Sequence, residues 1–568
     1  MEMRTCVTPN LWDKINFERR EVLRLKRQIE EANGYVDTPY ITRFNREYDT
    51  YARVADWDVL YRAAEESRII YLGDYHALPA CQAFHATFLD RLAQHKPNLV
   101  LAMEMFYGRN QPALDAWMGG RIADATFLRR VEYDLEWGYN WEAYRAILQT
   151  ARRHGVPAFG IDCENRNALQ NLRLRDEQAA RRILALLRRY PGHTLVVIFG
   201  ESHLAGRHLP ARVRHHLRRA GLRDQHTIIL QNLEELYWNV CCKGHEGRQV
   251  VHVKPGVWCV FTATPFVKYE AYRQASESWR AGRDDDDELD LTASLHSLID
   301  TILNFIQVDK YAYLLSRPVV YADRLIDVYP EIYGPEDRPL FKALLNASSL
   351  SQPEKSCILH HIERNGSCYV AGINAIYLGR LNVVHAAEEA THFAHFACRR
   401  QVGAQAPSGY RYRVDVFYTR VWEEALGYFG SKLIDPTRNH VRDSLFCGDK
   451  VLENKNLRPL GLTPRAAAAI VQYLRDHKRF EHDYRRHRRV PSTLQKGVRI
   501  RGRKLAIVTH ELGYLLGEQL YRGYISGHVS RGEIRRLFCR RFDQPMAPLR
   551  AYLKYATKLA RLGLKLYP

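Results

Sequence analysis

From residue 55 onward, short apolar runs alternate with longer stretches whose apolar positions recur at helical spacing. The runs lie at 68–72, 98–103, 157–161, 194–199 and 227–230. Helical periods fill 80–95, 110–118, 139–154, 167–190 and 207–220. Unbroken apolar runs separated by helices predict parallel strands buried on both faces and joined by crossovers. Two more runs, 249–253 and 257–263, flank Pro255-Gly256 and read as a hairpin closing the sheet. Upstream, 15–33 reads as a charge-laced exposed helix, and Pro39 with the polar residues after it as a tether.

Downstream the pattern changes. Residues 279–290 carry four consecutive Asp and little that is apolar, so they read as a solvated linker. The segments 291–316, 319–329, 338–348, 353–364, 380–401, 415–433, 463–479, 504–524 and 545–564 are mostly helical in period. The expected organisation is an N-terminal helical extension over 1–54, an α/β domain with a mainly parallel sheet over 55–278, the linker 279–290, and a largely α-helical domain over 291–568.

Composition narrows the class. At 568 residues, 46% hydrophobic and 26% charged, the chain has ample material for globular cores, which excludes collagen-like and wholly disordered readings. No run approaches the length of a membrane span, and the first 20 residues lack the apolar centre of a secretion signal. Eleven cysteines, an odd number with no Cys-x-x-Cys pair, argue against a disulfide scaffold or zinc ribbon and for reduced thiols in the cytoplasm. Lys and Arg exceed Asp and Glu by 84 to 64, a net charge of +20 that suits an acidic partner. The densest basic stretch, 478–504, interleaves Phe480 and Tyr484. It leaves nucleic-acid binding as a subordinate reading beside that of a solvated segment.

The chemistry gathers where the α/β strands end. The first run leads into Gly73-Asp74-Tyr75-His76, the second into Glu104, the third into Asp162 and the fourth into Gly200-Glu201-Ser202-His203. Open α/β sheets bind ligands outside the carboxyl ends of their strands, so Asp74, His76, Glu104, Glu201 and His203 are expected to line one cleft. A carboxylate behind an apolar run, such as Glu104, needs a partner or a shifted pKa. Asp162 reads equally well as the cap of a helix starting near Arg166.

The segments LGDYH, LAMEMFYGRNQPALDAW, EWGYNWEAY and FGESHLAG resemble the ChaN-like domain of the haem-binding uptake/Tiki superfamily. Its two Gly-x-x-His elements and intervening Glu match Gly73 and His76, Gly200 and His203, and Glu104. Asp74 stands where the family usually has Glu. The resemblance covers about residues 65–270 and implies an α/β fold with a polar cleft at the strand ends. Because the superfamily spans haem binders and metal-dependent hydrolases, it implies two readings. In the first, haem or another carboxylated porphyrin takes an axial donor from Tyr75, His76 or His203, and Arg109 and Arg166 meet its carboxylates. One haem per chain or per subunit pair is expected, so a homodimer is among the possible partners, and the role is intracellular haem or iron handling. In the second, His76, Glu104 and His203 hold a divalent Mn, Co or Zn ion, and Asp74 and Glu201 complete a hydrolytic site.

A second constellation, His385, Glu388, Glu389, His392 and His395, falls on one face of a helix in the C-terminal region. Glu389-x-x-His392 has the spacing of carboxylate metal sites in helical bundles. His385, Glu389 and His392 are the expected ligands, with Glu423, Glu424, His510, Glu511 and Glu518 as possible complements. A hydrated helix face with local His–Glu pairs is the plainer alternative.

Overall fold

The computed structural model describes residues 7–33, 39–163, 172–280, 291–308, 329–379, 382–399, 401–402, 413–439, 463–487 and 502–560. Arg166, most of the Asp-rich linker, the segment 319–328 and the basic residues 488–501 lie outside them. The chain divides into two compact units, one within residues 20–287 and one of residues 7–19 with those from 288 onward.

The first unit is built on an eight-stranded sheet. Its strands are β1 (Arg53–Ala55), β2 (Ile69–Asp74), β3 (Leu99–Tyr107), β4 (Ala158–Asp162), β5 (Thr194–Gly200), β6 (His226–Gln231), β7 (Val250–Lys254) and β8 (Val257–Val260), in the spatial order β1-β7-β8-β6-β2-β5-β3-β4. β7 runs antiparallel to both its neighbours, and the remaining pairings are parallel. All residues of β2, β3 and β5 are buried, as unbroken Ile, Leu, Val and Phe runs require when both faces are covered. The helices Pro79–His95 and Trp141–Arg153 pack together. They bring Phe84, Phe88, Leu92, Tyr144, Ile147 and Leu148 into one core with Leu101 and Met103 of β3. The helices Leu172–Arg189 and Leu209–Arg219 form a second packed pair.

Three expectations change. The residues after Pro39 form a helix, Pro39–Glu47, rather than a tether. Its four charged or amide side chains mask a short helical period in the sequence. β1 is too short and too exposed to show as an apolar run. β3 continues past Met103 to Tyr107, so Glu104 sits inside the strand rather than beyond its end. The strand slips register against β4 between Met103 and Tyr107, and its paired residues with β5 stop at Met103. A slip of this kind re-aims side chains locally.

The second unit is mostly helical, and it also contains a three-stranded sheet that the sequence pattern hides. β9 (Glu331–Tyr333), β10 (Ser367–Val370) and β11 (Ala375–Leu378) are ordered β10-β11-β9, with β10 and β11 a hairpin. Strands of three or four residues are too short to establish a period of two. The helices Val383–Cys398, Arg413–Ile434 and Gly502–Ile525 pack in sequence against one another. Gly513 and Gly517, one turn apart, allow the last two to approach closely. A Cβ at Gly517 would stand 2.6 Å from the Ala425 carbonyl, and one at Gly513 2.9 Å from that of Val421.

Candidate functional site

At the carboxyl ends of β2 and β5, beside the middle of β3, three side chains surround Gly200. A Cβ placed there would lie 3.2 Å from Glu104 Oε2, 3.4 Å from His76 Nε2 and 3.5 Å from His203 Cδ2. Residues up to 127 positions apart in the chain are thus gathered at one strand end, and the missing side chain at Gly200 makes the space.

Each histidine is anchored by a carboxylate. His76 Nδ1 donates to Asp74 Oδ2 at 2.8 Å, and Tyr144 donates its hydroxyl to the same oxygen at 2.7 Å. Gln82 Nε2 completes the shell on Asp74 Oδ1 at 2.5 Å. Burial opposes the Asp74 charge, yet its pKa is held below the ordinary value by the hydrogen bond and charge of His76, nearby His85 and the Tyr144 hydrogen bond. Burial likewise opposes the charged form of His76, and the Asp74 hydrogen bond with Glu104 nearby reverses this, raising its pKa. With Nδ1 committed, Nε2 is left facing the Gly200 space, 3.8 Å from Glu104 Oε2 and outside hydrogen-bond length. The His76 side chain keeps 22% of its exposure, the most open group of this cluster, and its ring lies 4.5 Å from that of Trp137 and 5.2 Å from that of Tyr139. His203 is buried, and its Nδ1 donates to Asp176 Oδ1 at 2.7 Å, while His208 donates to the other oxygen of Asp176 at 3.0 Å.

Glu104 is differently employed. Its Oε2 accepts the Gly200 backbone N–H, and its Oε1 accepts Arg175 Nη2, each at 2.5 Å. Arg175 also meets both oxygens of Asp162, through Nε at 3.1 Å and Nη2 at 2.9 Å. Burial works against the Glu104 charge, but Arg175, His76 and His203 hold its carboxyl below the ordinary range. Asp162 is therefore a buried ion-pair partner at the end of β4.

The remaining expected residues have separate settings. Glu201 packs beside Gly73, and Lys268 Nζ reaches its Oε1 at 2.8 Å. Burial still leaves the Glu201 pKa raised, and its Oε2 is buried without a hydrogen-bond partner among the described residues. Tyr75 lies under the same lysine, with Nζ 4.3 Å from the ring centre. Arg109 is 46% exposed and pairs with Glu136 at 3.1 Å. In the second unit, Glu389 serves the fold: it accepts from Ser367 Oγ and from the Tyr369 N–H, both at 2.8 Å, and from His392 Nδ1 at 3.0 Å. One donor atom each of Glu388, His392 and Glu424 lies within 4.8 Å of the others.

Arg175, Asp176, Gln82 and Lys268 do not stand out in the sequence. Arg175 and Asp176 sit in a helix thick with charge, LRLRDEQAARR, where nothing marks two buried members among exposed neighbours. Helical spacing alone offers a signal: both lie one turn before the buried Ala179 and Ala180.

Comparison with known proteins bears on this unit. A protein of solved structure titled "Cofacial heme binding to ChaN of Campylobacter jejuni" is similar at 11% identity, over 31% of this chain and 86% of that one, with a TM-score of 0.26. No curated protein sequence matches the chain. Residues 60–172, which include Asp74, His76 and Glu104, match the family described as haem-binding uptake, Tiki superfamily, ChaN.

Proposed function

We propose that the first unit binds haem, which His76 would hold through its Nε2. One observation carries this reading: His76 is locked through Nδ1 by Asp74, and its Nε2 faces a partly open space beside the rings of Trp137 and Tyr139. A histidine whose second nitrogen is held by a carboxylate is the usual form of an iron or zinc ligand, because the hydrogen bond fixes the tautomer and raises the basicity of the donor. The two aromatic rings offer flat apolar contact to a porphyrin. The donor and the rings therefore fit the group that the matched family binds. When bound, haem would supply iron-centred ligand or electron chemistry. In this chain, Asp74, Tyr144 and Gln82 orient the imidazole, and His203, held by Asp176, closes the inner wall. Half-exposed Arg109, already paired with a carboxylate, is the cation we assign to a propionate. The role that follows is haem or iron handling.

The convergence of His76, Glu104 and His203 at Gly200 favours a second reading, a divalent-metal hydrolase. Arg175 weighs against it. It and the Gly200 N–H already occupy both oxygens of Glu104, so an ion would have to displace one of them before Glu104 could serve as a ligand. Hemin titration into the metal-free full chain, with metal analysis of the protein before stripping, distinguishes the two. A saturable Soret shift at one haem per chain, or one per pair of chains, that weakens at least 10-fold in His76→Ala and not in Arg153→Ala supports haem. No saturable shift, with stoichiometric zinc or manganese retained and lost in His76→Ala, supports the hydrolase.

A further inference from the structure

The second unit holds a cluster with no part in the haem reading. Glu388 and His392 lie one turn apart on the helix Val383–Cys398, and Glu424 reaches them from the neighbouring helix Arg413–Ile434. One donor atom from each lies within 4.8 Å of the other two. Bonds of about 2.1 Å hold donors roughly 3–4 Å apart, so small side-chain rotations close the set on an ion.

The surroundings are those of a ligand shell. His392 Nδ1 is fixed by Glu389, which is itself anchored to β10 through Ser367 Oγ and the Tyr369 N–H. That leaves His392 Nε2, which is buried and has no hydrogen-bond partner among the described residues. An orphaned buried imidazole nitrogen is costly and calls for an explanation such as a missing ion. The His392 ring packs against Gly427, where any Cβ would collide with Nε2, so only glycine lets the imidazole take this position. Glu424 Oε2 accepts from His510 Nδ1 at 2.8 Å. Glu388 Oε2 accepts from Arg438 Nη1 at 2.8 Å, and Arg438 Nη2 donates to the Tyr514 hydroxyl at 2.9 Å. Each of the three donors is thus oriented by an outer partner, the arrangement that holds first ligands in place at metal sites. Two carboxylates and one imidazole select a first-row divalent ion over magnesium or calcium, whose sites are all oxygen.

We propose that Glu388, His392 and Glu424 bind one divalent transition ion of the zinc, iron(II) or manganese class, with its remaining positions open to water. The site joins two of the helices at the centre of the second unit. It differs from the pattern that Glu-x-x-His spacing suggests, because Glu389 orients the histidine and Glu388 takes the ligand position.

The test uses the full chain, stripped with a chelator and dialysed against zinc alone, with cobalt(II) as an optical probe. The expected result is one zinc per chain from this site at micromolar free metal, and cobalt d–d bands. Glu424→Gln, which preserves shape and can still accept from His510, should weaken zinc binding at least 10-fold, as should His392→Ala. His76→Ala should leave this site unchanged, which separates it from any metal in the first unit. Circular dichroism and thermal melting of the stripped proteins establish that the variants fold; should His392→Ala fail to, His392→Gln takes its place. Zinc binding equal to wild type in folded Glu424→Gln, or no binding by the folded wild type below millimolar zinc, would overturn the proposal.

Discussion

Replacing Arg175 with Met removes the one guanidinium shared by Glu104 and Asp162 and keeps most of the side chain's length and apolar stem. The side chains of Arg175, Glu104 and Asp162 are 11%, 4% and 0% exposed, so solvent screens these pairs little. Removing one partner of a buried ion pair costs about 3–5 kcal/mol, because a charge is left uncompensated. At about 2–4 °C per kcal/mol for a unit of this size, the first unit should melt roughly 6–20 °C lower at pH 7. The pH dependence has a definite sign. In the wild type Arg175 is the largest cause holding the Glu104 pKa below its ordinary value, so removing it moves that pKa upward. The penalty is therefore largest at pH 7 and shrinks as pH falls through the variant's Glu104 pKa, where the buried carboxylate takes up a proton. Adding Glu104→Gln to Arg175→Met should recover part of the loss at pH 7 and little at low pH. Urea unfolding of the full chain, followed by tryptophan fluorescence at several pH values, measures these differences. A cost below 1 kcal/mol at pH 7, or one independent of pH, would refute the assignment of Arg175 as the neutralising group.

Three further outcomes are expected. Gly200→Ala should fold, since its φ of −48° suits alanine, but its methyl enters the space between His76, Glu104 and His203 and should weaken hemin binding about 10-fold. The Cys539 thiol is exposed, and its hydrogen bond from Cys398 lowers its pKa to about 7. Alkylation of Cys539 by iodoacetamide should therefore reach half its plateau rate near neutral pH, and Cys398→Ala should move that midpoint toward the ordinary thiol value of 9. Ser530 caps the helix Arg531–Cys539 and forms a reciprocal pair with Glu533. Ser530→Ala should lower stability in urea by about 0.5–2 kcal/mol, and a neutral result would remove the cap from the list of stabilising contacts.

The parallel core of the first unit is legible because strands buried on both faces leave unbroken apolar runs, and polar residues stand out where such a run breaks off. Asp74, His76 and His203 are visible for that reason. Glu104 is visible as a carboxylate, but its place inside β3 is not, because the continuation of the strand past Met103 leaves no composition signal. Arg175, Asp176 and Lys268 come from helices, where charges are expected on the outer face and a buried one looks like the rest. The small sheet β9–β11 escapes because its strands are shorter than any period that could reveal them. In the second unit, the spacing of Glu389 and His392 draws attention to the helix Val383–Cys398, on which the two side chains are hydrogen-bonded. Only the packing of the neighbouring helix brings Glu424 beside Glu388 and His392, while Glu389 bonds the other ring nitrogen.

The central claim is that His76 donates to haem iron through Nε2. Imidazole rescue tests it most directly. Hemin is titrated into wild type and into His76→Ala, with and without millimolar imidazole, and the Soret band and the low-spin electron paramagnetic resonance signal are recorded. The expected result is a saturable shift in wild type, its loss in His76→Ala, and its return when imidazole occupies the space that the ring has left beside Trp137 and Tyr139. Wild-type spectra and affinity in His76→Ala without imidazole would contradict the claim and leave haem as a nonspecific guest on a basic protein.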